Sequence, residues 1–167
     1  MRTTLRWYEA AVVAPGLGFL YWGTVHWDCP NVGAWIGYAI LSIVLSGISL
    51  PGTGRAAGWT GGGALGMLAV LAGMNWFSGP EVLAAAVLAA AAGAVAGGSG
   101  LAGAGFAMAN AAVSAGSSVL VLESARGQVV YYPALFSLVT AQYFAVHTLL
   151  AAGRQSLAQG ERLASVL

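Results

Sequence analysis

No lysine occurs among the 167 residues, and all six cationic side chains are arginine. Acidic residues number five, so charged groups make up 7% of the chain, against roughly 25% in soluble globular domains. So little charge cannot cover the surface of a soluble domain. A net charge of +1 supplies no basic face, and nucleic acid is not an expected partner. The single cysteine, Cys29, excludes an internal disulfide and a multi-cysteine metal centre. The first apolar stretch carries Glu9 and Pro15 and ends in aromatics. It lacks the small-residue cleavage site of a signal peptide and is read as a first permanent span.

What the chain does have is hydrophobic length, with apolar residues at 59%. A spanning helix needs about 20 apolar residues to cross roughly 30 Å of hydrocarbon. Four such stretches are bounded by charged or turn residues: 7–26, 32–50, 57–77 and 129–153. Between the third and the last, residues 82–122 hold no charge at all. As one helix they would reach about 60 Å, twice the core thickness, so they must fold back. The quartet "GGSG" at 97–100 supplies a turn, because glycine tolerates the backbone angles a reversal needs. The expectation is an all-α polytopic integral membrane protein. It is a single bundle of six transmembrane helices, with the fourth and fifth at 82–97 and 101–122.

Arginine placement orients this bundle. With both termini cytoplasmic, Arg2, Arg6, Arg55, Arg154 and Arg162 lie inside and only Arg126 outside, as the positive-inside rule asks. Trp22, Trp27, Trp35 and Trp76 then fall near the outer interface, and Trp7 and Trp59 near the inner one, as in an aromatic belt. The tail from Arg154 is mildly amphipathic and suits the inner interface. The expected location is the cell membrane. A faint repeat sets "VGAWIGYA" from Val32 against "AGAGFAMA" from Ala102, and Ala64 against Ala134. An offset of three spans makes such a pattern a 3+3 inverted repeat, a common transporter plan.

The fourth and fifth spans are built mainly from Ala, Gly, Ser and Val. In lipid, close helix contact depends on small residues. The pairs Ser99/Gly103 and Gly100/Ala104, continued by Ala109, Val113 and Ser117, form a low-relief stripe that suits a close neighbour. Asn75, Asn110, Gln142 and His147 are the polar groups at or within the spans. They either join helices, at about 0.6 kcal/mol each on average, or line a polar path. Apart from His147 no ionisable residue falls in mid-span, which counts against a proton or ion pump.

The Gly97-Gly98-Ser99-Gly100 quartet resembles the serine motif of the rhomboid intramembrane proteases. The resemblance covers the quartet and one later histidine. It implies Ser99 as a nucleophile and His147 as its base. The placement departs from that family, whose serine begins the fourth core span and whose histidine lies early in the sixth. Here Ser99 precedes the fifth span and His147 falls late in the sixth, and the second span carries no histidine.

At the opposite end, His26, Asp28 and Cys29 stand within four residues, with Glu81, Glu123 and Arg126 on nearby turns. Imidazole, carboxylate and thiolate are all metal ligands, but a transition-metal site needs three or four that converge. The expected reading is a polar cluster at a membrane border. No metal or cofactor is expected, since two histidines near opposite faces cannot share one haem. Glu9 is expected to pair with Arg6 or Arg55, and Pro15 to kink the first span.

Three functions follow as expectations. The first is a non-enzymatic membrane subunit that packs against other membrane proteins or copies of itself within lipid. The second is a small transporter or channel for a neutral or weakly polar solute. The third is the rhomboid-like serine protease. Convergence of the polar intramembrane residues on one cavity would favour the second over the first.

Overall fold

The computed structural model describes residues 2–48, 61–125 and 132–160. These form six helices: α1 (Arg2–Val25), α2 (Val32–Gly47), α3 (Gly61–Gly73), α4 (Gly79–Ala96), α5 (Leu101–Ser124) and α6 (Tyr132–Gln159). Arg55, Trp59, Arg126 and Arg162 lie outside the described residues. Three helices, within α4, α5 and α6, are long and apolar enough to cross a membrane, which supports membrane association. α2 is a shorter apolar helix. α1 equals α5 in length but carries Arg2, Arg6 and Glu9 in its first turns.

Local chemistry sets the boundaries. The Asn31 side chain accepts the Ala34 N–H at 3.0 Å and so caps α2. At α4, Pro80 occupies the first turn, where its missing N–H costs no intrahelical bond. The Glu81 carboxylate reaches back to the Ser78 N–H at 2.7 Å. α4 ends at Ala96. Gly98 adopts a left-handed φ of 71° and the Ser99 N–H returns to the Ala94 carbonyl at 2.9 Å. α1 continues through Pro15 to Val25. α6 runs past the predicted end at 153 to Gln159, because neither glycine nor proline follows Gly153 until Gly160.

Packing follows an exchange pattern. α1 lies along α5, and α4 lies along α2. α2 pairs with α3 and α5 with α6, while α3 touches α4 and α6 touches α1. The pair α4–α5 is also close, and α1–α2 has no contact of that extent among the described residues. The main core joins α3, α4, α5 and α6 through Val70, Leu71, Val82, Leu83, Val119 and Tyr143. A second cluster of Val12, Phe106 and Ala109 joins α1 to α5. Small residues permit the approach: a methyl on Gly16 would stand 3.0 Å from the Ala109 Cα. α6 is peripheral, with 11% of its apolar window buried against 56% for α5.

Candidate functional site: a cavity at the arginine-bearing end

α6 packs on α5 and α1 but leaves a gap toward α3 and α4. The facing positions on α4 are Ala86, Ala89, Ala90 and Gly93, too small to fill it. The result is a cavity of about 420 Å³, within the 300–1,000 Å³ span of ligand pockets. Its floor is Tyr143, which is 2% exposed and reaches from α6 into the main core. From there it extends past His147 and Phe106 to Ser99, Arg154 and Gln159. That end of the bundle also holds the start of α1, with Arg2 and Arg6.

Two of the four polar intramembrane residues meet here. Asn110, 3% exposed, donates its side-chain amide to the His147 carbonyl at 3.1 Å, and its own carbonyl accepts the Ser114 hydroxyl at 2.8 Å. The His147 ring stacks on Tyr143 at 6.0 Å and 8°. Both Asn110 and His147 line the cavity. Asn75 does not: it is exposed beyond the end of α3, where its side chain donates to the Ala72 carbonyl at 3.4 Å. Gln142 is half-buried on α6 and also stands outside the cavity.

Ser99 and His147 line the same cavity at different depths. The Asn110 bond fixes His147 at the level of Asn110, nine residues into α5 from Leu101. At 1.5 Å per residue this places Leu101 about 14 Å away along the axis, and Ser99 precedes Leu101 outside the helix. A nucleophile and its base need about 3 Å.

Arg154 is the wall residue that sequence reasoning missed, having counted it only as a topological charge. Its Nε donates to Glu9 Oε1 at 2.8 Å, and its guanidinium lies 5.0 Å from the Phe106 ring centre. Among the described residues Glu9 therefore pairs across the bundle with α6 and not with the expected Arg6, while Arg55 lies outside the described residues. The two side chains are separated by 145 residues in sequence, and nothing in the local pattern links them.

The expected packing stripe divides. Ala109 is buried against α1, Val113 and Ser117 are half-buried, Gly100 is exposed, and Ala104 is half-buried. Ser99 packs within its own turn, 3.2 Å from where a Gly103 methyl would stand. The other polar cluster also divides. His26 is exposed, bonded at 2.9 Å to the Trp22 carbonyl, and Asp28 is exposed. Glu123 lies near Gly79, while Arg126 lies outside the described residues. Cys29 meets the buried Glu81 carboxylate, whose hydrogen bond raises the thiol pKa above its ordinary value. Among the described residues no three His, Cys, Asp or Glu side chains converge as a metal would need. Comparison with protein families, with curated proteins and with solved structures finds no match to this chain.

Proposed function

We propose that the chain is a six-span cell-membrane protein, with both termini cytoplasmic, that carries a small organic solute. The observation that supports this most is the 420 Å³ cavity, walled by small residues and bearing Asn110, His147 and Arg154. A cavity that runs from a mid-bundle floor to one end has the form of an inward-facing binding site. The exchanged pairing of α1 with α5 and α4 with α2 adds support, because an inverted 3+3 repeat relates those two contacts. The close α4–α5 contact is the departure from that symmetry.

The test is solute uptake into proteoliposomes, comparing the native chain with Ala90→Phe. Ala90 is a half-buried wall residue, so the larger ring fills the cavity. Uptake by the native chain that is lost in a variant of unchanged thermal stability supports the carrier. Absence of uptake across neutral, cationic and anionic solutes removes it.

One observation favours a second reading, a subunit that packs against other membrane proteins. The apolar face of α6 is little buried, with Leu138 and Leu149 60% and 50% exposed. Native mass spectrometry after mild extraction separates the two. A fixed stoichiometry with other membrane proteins supports the subunit.

A further inference from the structure

Among the described cavity-lining residues, Arg154 is the one with a permanent charge. Its guanidinium is held from two sides. Phe106 covers one face, and Glu9 accepts the Nε–H alone. The four terminal N–H groups therefore have no protein acceptor among the described residues. They belong to a planar fork whose geometry matches a carboxylate bidentately. Gln155 and Ser99 stand at the same end of the cavity. Deeper in, the walls are Ala90, Gly93, Ala107 and Ala111, which offer no charge and leave room for an apolar body. A fixed cation at the mouth and small apolar walls behind it describe one kind of ligand.

We propose that Arg154 recognises the carboxylate of a small monocarboxylate whose apolar body fills the alanine-lined part of the cavity. This rests on the carrier reading and replaces the neutral or weakly polar solute expected from sequence. That expectation followed from the polar side chains at and within the spans, whereas Arg154 acts from the end. Glu9 pins the guanidinium and competes with the ligand for it. Removal of the Glu9 charge strengthens ligand binding on this account.

The experiment is calorimetric titration of the full chain in lipid nanodiscs with butyrate and octanoate, and with the amide of each. The acids are expected to bind at least about tenfold more tightly than their amides. Arg154→Gln should abolish that preference, and Glu9→Gln should tighten the acids. The Glu9→Gln arm decides the matter even where Arg154→Gln fails to fold. Equal binding of acid and amide in the native chain and in Glu9→Gln overturns the carboxylate proposal and leaves the carrier standing. Failure of every acid and amide to bind, together with absence of uptake for any solute, overturns both. Palmitate extends the series: affinity that peaks at short chains identifies a water-borne acid, and affinity that rises through palmitate identifies a membrane fatty acid.

Discussion

The side-chain amide of Asn110 is bonded to the main-chain carbonyl of His147, and this bond sets the register of α5 against α6 beside the cavity. Asn110→Ala loses it and leaves a carbonyl without its side-chain donor. The expected cost is about 1 kcal/mol, read from unfolding in mixed micelles. A variant as stable as the native chain would show that the bond joins nothing of consequence.

Two glycines of α1 separate packing from propensity. Gly16 faces the Ala109 backbone, which cannot yield, whereas Gly18 faces open space within 4 Å. Gly16→Ala should destabilise the bundle by about 1–3 kcal/mol. Gly18→Ala should be neutral or stabilising by up to roughly 1 kcal/mol. Equal effects from the two would argue against the α1–α5 contact.

The Glu9–Arg154 pair is about one-quarter to one-third exposed, so its coupling should be small. A double-mutant cycle with Glu9→Gln and Arg154→Gln should give about 0.5–1 kcal/mol. Zero coupling would place the two residues apart.

Cys29 carries a pH dependence. The Glu81 hydrogen bond is the largest cause of its raised pKa, followed by burial and by the Glu81 charge. The fold therefore prefers the neutral thiol. Stability from this preference is present below the ordinary thiol range and is lost as pH rises through the folded value. Because the thiolate is the reactive form, maleimide-type alkylation should rise at a higher pH than for a free thiol. Glu81→Gln keeps a residue able to cap α4 and should move the profile back.

The same lone thiol reports topology. With both termini cytoplasmic, a membrane-impermeant reagent should label Cys29 from outside intact cells. A cysteine placed at Gly160 in a Cys29→Ser background should stay unlabelled until the membrane is opened. The reverse pattern inverts the bundle.

The helices were legible because their ends are chemical. Asn31, Ser78 with Glu81, and Gly98 each terminate a helix through a bond a short motif encodes. The site was legible in part. Asn110 and His147 stand out as polar residues in apolar runs, and both line the cavity. Arg154 did not stand out, since an arginine at the end of an apolar run is the usual anchor of a span. Its stem can lie along the wall while its head meets Glu9, and only the helix arrangement reveals that. Asn75 looked similar to Asn110 in sequence, but α3 ends just before it and leaves it outside.

Glu81 fastens three segments at once. Its carboxylate holds the Ser78 N–H at the head of α4 and the Cys29 thiol of the α1–α2 connection, and its carbonyl accepts Trp35 Nε1 of α2 at 3.0 Å. At the arginine-bearing end the ties run through α6 instead. There α6 is tied to α1 by Glu9–Arg154 and by the Tyr8 hydroxyl on the Leu150 carbonyl. Arg154 thus belongs at once to the α1–α6 seam and to the wall of the cavity, so a change at that one side chain alters both.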